Sequence, residues 1–265
     1  MERELMYGID GALIAGGLLV AMLLVIEGGY RLGRAHEREE PAPAKAHVNA
    51  IQASLLGILA LLLGFTFSSS LQRYDARSEA VVAEANAIGT AWQRTGLLPE
   101  RHRAEARQAL RDYLDLRIVA NGSTLDNYRG LAAMRVDTAR AQARLWDVAR
   151  RAAVTDPDPV TTGLHAEAVN ALIDAYASRN AALDRRVPEV VLFLLLATFL
   201  MAGLVVGFAT GVAGHRPSLA SHIMVALIAV LVFIILDLDR PRRGLVQVDH
   251  GSLLELRADV SRQVD

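Results

Sequence analysis

Residues 48–74 read VNAIQASLLGILALLLGFTFSSSLQRY, and the stretch from 48 to 72 carries no charge. A helix crosses a bilayer with roughly 20 mostly apolar residues, so this run reads as a membrane span. Two aromatics, Phe65 and Phe67, give way to Ser68, Ser69 and Ser70, and then to Arg73, Tyr74, Asp75 and Arg77, with no glycine or proline between them. The pattern predicts a helix that leaves the membrane and continues into a charged domain.

Working outward, three more apolar runs cover 11–26, 190–213 and 219–236. A buried soluble helix would account for any one of them, but four together read as spans. The averages, 52% hydrophobic and 22% charged, look ordinary only because apolar residues gather in the four runs and charges gather between them. A cleavable secretory signal competes for the first run, yet Met1-Glu2-Arg3-Glu4 is not the basic segment such signals carry. A tight turn at 214–218 joins the third and fourth spans, and the first loop, 31–47 with Glu39-Glu40-Pro41-Ala42-Pro43-Ala44, reads as an irregular connector.

The residues between the second and third spans read as helix almost throughout. Val81, Ala85, Ile88 and Trp92 form one stripe on a helix over 70–94, ended by Gly96 and Pro99. A second helix, 100–119, carries Ala106, Leu110, Tyr113 and Leu114 on one face and stops at Asn121-Gly122. A third begins near Thr124-Leu125-Asp126 and breaks at Asp156-Pro157-Asp158-Pro159. The fourth starts at Thr161-Thr162, with Val169, Leu172, Ile173, Tyr176 and Leu183 on one face, and passes Arg185, Arg186 and Pro188, where a kink or restart is expected. One-sided stripes of this kind bury against each other as a bundle, with Trp92, Trp146, Tyr113 and Tyr176 expected in its core. The fold class is therefore all-α: an integral membrane protein with four transmembrane helices and a helical bundle inserted between the second and third. The division is 1–69 for the first two spans, 70–187 for the bundle, 188–238 for the last two spans and 239–265 for a tail.

The chemistry is sparse. Net charge is about −1, which offers no basic surface for nucleic acid. Cysteine is absent, so disulfides and thiolate chemistry are excluded. The seven histidines do not pair at metal-ligand spacing, and no phosphate loop or nucleophile elbow is present. The reading is non-enzymatic, with no cofactor and no metal. Mid-span charges of the kind proton-driven carriers use are missing, and His222, one turn inside the fourth span, reads as an interface-level residue.

Small residues carry more. Gly203, Gly207 and Gly211 recur every four residues on the third span and predict close packing in the bundle or between subunits. Gly16 and Gly17 offer a similar spot on the first span. On the second span Gly57, Leu61 and Phe65 share a face. Several copies around an axis would make that face a hydrophobic collar, with Ser68 and Ser69 wetting its wide end, and such collars gate by dewetting. Packing or lipid contact is the alternative for the same face. Arg73 and Arg77, just beyond, would bias the field toward anions, with Asp75 partly offsetting them. Arg73, Arg77, Glu84 and Asn86 read as structural polar residues. Glu84 and Arg77 stand seven residues apart on one helix, and Asn86, a poor mid-helix residue, is expected to meet a specific partner.

Leu63-Gly64-Phe65, the serines, and Arg73-Tyr74-Asp75-Ala76-Arg77 resemble the end of the second span in bestrophins, with a one-residue gap and one aromatic missing. Asp239-Arg240-Pro241, Gly244, Asp249, Leu253 and Leu254 echo a later stretch, with Arg242 where that family has phenylalanine. Over nearly the whole chain, and most strongly at 84–91 and 237–244, the sequence is similar to the bestrophin-like family of bacterial membrane proteins, built on a domain of unknown function. The resemblance implies a pentameric ion channel whose second span lines the pore, with variable selectivity among bacterial relatives. Gly57 would leave the collar open at its level. The acidic cluster of the family's calcium clasp has no convincing equivalent, so no calcium site is expected.

The implied partners are the lipid bilayer, further copies of the chain and small inorganic ions, and the implied location is a bacterial inner membrane. Four spans put the inserted domain and both termini on one side. Arg31, Arg34 and Arg38 place the first loop in the cytoplasm. Counting all flanks points the other way, with Arg3, Arg73, Arg77, Arg179, Arg185, Arg186, Arg240, Arg242 and Arg243 against Arg31, Arg34, Arg38, Lys45 and Arg216. Sidedness stays open. The competing function is a membrane-anchored sensor or scaffold that uses the inserted helical domain.

Overall fold

The structure, a computed structural model, describes residues 10–36, 42–122, 128–240 and 244–263. The Met1-Glu2-Arg3-Glu4 stub, Glu39-Glu40-Pro41, the expected start at Thr124-Leu125-Asp126 and Pro241 to Arg243 lie outside the described residues. Among the described residues there is no strand. Eight α-helices follow one another among the described residues: α1 Gly11–His36, α2 Ala42–Arg94, α3 Glu100–Gly122, α4 Tyr128–Thr155, α5 Leu164–Asp184, α6 Glu189–Val212, α7 Leu219–Leu238 and α8 Gly251–Arg262. Four of them, α1, the first part of α2, α6 and α7, are long and apolar enough to cross a membrane.

The connector expected over 31–47 is mostly helix. α1 continues to His36, and α2 already begins at Ala42. Pro43 does not prevent this, because the first helical turn has no intrahelical N–H bond for a proline to remove. Asp156 to Pro159 does end α4, yet the chain resumes helix before Thr161, as a single π turn at Pro159–Gly163. The Asp158 carboxylate accepts from Val160 N at 2.7 Å and caps that turn. Asp156 accepts from Thr161 Oγ1 at 2.7 Å and steadies the approach. At 185–188 the helix stops and restarts, with Pro188 as the N-cap of α6.

The chain divides into two compact units, Met1–Gln72 with Arg186–Val246, and Arg73–Arg185 with Gln247–Asp265. In the first, α1 packs along α6 and against α7. Leu18, Met22, Ile26, Leu59, Leu63, Phe199, Val225 and Ile235 are among its buried residues. The α1–α6 seam is made by glycine on both helices. A methyl on Gly207 would overlap the Ile26 carbonyl oxygen, and one on Gly211 the Tyr30 carbonyl. Reciprocally, methyls on Gly29 and Gly33 would overlap the Leu204 and Phe208 carbonyls. Gly203 faces Met22, whose sulfur would lie 3.2 Å from an added methyl. The ridge on α6 is thus occupied by α1 of the same chain. It does not serve as a subunit seam, and it lends no support to oligomerisation. Gly16 and Gly17, the sites expected on the first span, have nothing within 4 Å of an added methyl.

Gly207→Val is therefore expected to destabilise by about 1–3 kcal/mol, the usual cost of forcing bulk into a closed contact. Gly16→Val should leave stability unchanged. Thermal unfolding of the detergent-solubilised chain measures both, and equal midpoints for the two variants would contradict the seam.

The end of α7 is held by carboxylates. Buried Asp237 accepts from Leu245 N at 2.8 Å and from Val246 N at 2.9 Å, and buried Asp239 accepts from Val187 N at 2.9 Å. In the second unit the stripes of α2, α3, α4 and α5 converge on Val81, Ile88, Leu110, Tyr113, Leu145 and Leu172. α8 joins this core through Leu253 and Val260, and Gln263 just beyond it accepts from Trp92 Nε1 at 2.6 Å. Arg257 on α8 pairs with Asp115 on α3 at 2.8 Å. Trp146, expected in the core, is 41% exposed instead, because the buried line of α4 runs through its neighbours Leu145 and Ala149.

Candidate functional site

Two groups of residues stand out, one on each unit. The first is a face of α2. Leu59, Leu63, Thr66 and Ser70 are buried in the chain's own packing. Thr66 donates its hydroxyl to Leu62 O at 2.7 Å, the usual way a hydroxyl is satisfied inside an apolar helix. Between these positions the helix presents Gly57, Leu61, Phe65 and Ser68 outward. Leu61 is 58% and Phe65 66% exposed, and nothing lies within 4 Å of a methyl added to Gly57. Ser69 is half-buried and falls off this face. Large apolar side chains left uncovered on a membrane span must meet lipid or another copy of the chain.

The second group is a buried charge network. Glu84 on α2 is wholly buried. Its carboxylate accepts from Arg117 of α3, Nε to Oε1 at 2.6 Å and Nη2 to Oε2 at 3.3 Å. Arg179 of α5 pairs with Oε2, and the Tyr113 hydroxyl of α3 approaches Oε1 at 3.4 Å. The Arg117 guanidinium lies over the Tyr176 ring, 4.6 Å from its centroid. Burial pushes the Glu84 carboxyl up, but the Arg117 and then the Arg179 guanidinium outweigh it and hold it below the usual carboxylate range. One carboxylate thus ties three helices together.

The remaining expected residues separate. Arg77 is 1% exposed and donates to Ala182 O at 3.2 Å and Arg185 O at 2.7 Å. Glu84 takes its partners from α3 and α5 and not from Arg77. Arg73 is half-buried. Asn86 is exposed, and its side chain makes no hydrogen bond among the described residues. The position faces outward, where the low helix propensity of asparagine costs little. Arg117 escaped the sequence reading and Arg179 entered it only as a charge flanking the third span, although each sits on the apolar stripe of its helix, next to Leu114 and Tyr176. A charge on such a stripe signals a buried counter-charge. Among the described residues no group of three or more His, Asp or Glu is arranged to hold a metal.

A family profile described as the bestrophin-like domain matches residues 17–253. No curated protein matches the sequence. Two solved variants of a bacterial bestrophin homologue from Klebsiella pneumoniae share the fold. One is 17% identical, with a TM-score of 0.64 over 93% of this chain and 96% of that one. The other is 16% identical, with a TM-score of 0.66 over 93% and 98%.

Proposed function

The chain belongs to the bestrophin-like family, and from that premise we propose that it is an oligomeric ion channel whose α2 helices surround a common axis. The observation that carries the proposal is the uncovered face of α2. Gly57, Leu61, Phe65 and Ser68 point away from the chain's own core. Copies arranged around an axis would turn Leu61 and Phe65 into an apolar ring, Gly57 into a wider level two turns deeper, and Ser68 into a wetted rim, with half-buried Ser69 beside it. An apolar ring expels water and keeps resting conduction low. The proposed assembly is a pentamer, after the family resemblance, in a bacterial inner membrane. Its spans come from 1–69 and 188–238, and an extramembrane bundle from 70–187, with the tail 239–265 following and its helix α8 packed into the bundle's core. Arg73, Arg77 and Glu84 act in this reading as structural residues.

The test is mass in mild detergent together with ion flux from liposomes loaded with purified protein. Several copies per particle and a leak above protein-free liposomes are expected. A monomer across several detergents would overturn the proposal. An assembled particle that passes no ions would leave the sensor or scaffold reading, built on the bundle, in its place.

A further inference from the structure

We propose that Asp75 and Glu79 give this conduction path a preference for small cations over anions, an inference that rests on the pore reading above. α2 runs unbroken from Ala42 to Arg94. Along it Phe65, Ser68, Gln72, Asp75 and Glu79 follow at steps of three and four, the spacing of one helical face. All five are exposed.

The sign of the charge on that face reverses the expectation from sequence. Arg73 and Arg77 would favour anions if both pointed outward. Arg77 instead is buried, with its guanidinium on the carbonyls of Ala182 and Arg185, and Arg73 is half-buried. Glu84 lies inside the Arg117 and Arg179 network. Between 71 and 93 the exposed charged side chains are Asp75 and Glu79 alone. Neither makes an ion pair or hydrogen bond among the described residues. Repeated around an axis, they become two rings of carboxylates one helical turn apart. Such rings raise the local concentration of cations and repel anions. They act through their field on a wide, wet path and need no dehydrated ion at either level.

The experiment measures the reversal potential of purified, assembled protein in planar bilayers under a potassium chloride gradient. The Phe65→Ala background is used so that currents are large. The parent should favour potassium over chloride several-fold. The isosteric pair Asp75→Asn with Glu79→Gln should bring that ratio close to one, with conduction retained. Asp75→Lys with Glu79→Lys should move the reversal potential to the chloride side. Chloride preference in the parent, or an unchanged ratio in the conducting Asn/Gln variant, overturns the assignment of these two residues and leaves the pore standing. No current from assembled protein overturns the pore reading and this inference with it.

Discussion

Glu84→Ala is expected to lower the stability of the chain by about 3–5 kcal/mol, the range found when one partner of a buried ion pair is removed. The loss exceeds that of the deleted contacts. Arg117 is 5% exposed, and its Nε and Nη2 both bond Glu84, so the truncation leaves a buried guanidinium facing an empty space. Tyr113 and Arg179 lose the same acceptor. For a chain of this size the thermal midpoint should fall by roughly 10 °C. Asn86→Ala, two residues away on the same helix but outward-facing, should stay within about 0.5 kcal/mol of the parent. Thermal unfolding of both variants in one detergent separates them. A Glu84→Ala midpoint equal to that of Asn86→Ala would show that the network contributes nothing.

Phe65→Ala is expected to act on function and leave the fold alone. The ring is 66% exposed, so its removal opens little space within the chain. In the proposed channel its removal would widen the narrowest apolar ring, and water would enter more readily. Flux from liposomes should rise on the order of tenfold, equivalent to about 1.4 kcal/mol off the barrier. The thermal midpoint should barely change. A lipid-facing Phe65 gives a different result, with flux the same before and after substitution.

Much of the architecture was legible because a membrane span leaves a coarse signal. Apolar runs such as 190–213 and 219–236 need only be counted, and α6 and α7 begin and end close to them. The stripe Val81, Ala85, Ile88 and Trp92 was equally plain, and all four are buried. Pairing between helices was harder to read. Gly16 and Gly17 drew attention as neighbours, yet the buried line of α1 passes through Ala15, Leu18, Met22, Ile26, Gly29 and Gly33. Following that line, with its steps of three and four, would have identified Gly29 and Gly33. Glu84 was singled out as a structural polar residue beside Arg77, but its partners lie 33 and 95 residues away. The Asp237 and Asp239 contacts were beyond reach because backbone amides are their donors, and every non-proline residue has one.

The most direct test of the channel assignment uses the absence of cysteine from the natural chain. Phe65→Cys places a single thiol at the proposed narrowest ring, and Val20→Cys places one on an exposed part of α1 as a control. Both proteins are reconstituted, and ion flux is recorded before and after a charged, water-soluble thiol reagent, with modification verified by mass. The channel assignment requires flux through Phe65→Cys to fall steeply on modification while flux through Val20→Cys continues. Unchanged flux through fully modified Phe65→Cys would contradict it, since an ion path lined by that position could not accept a bulky charged group without effect.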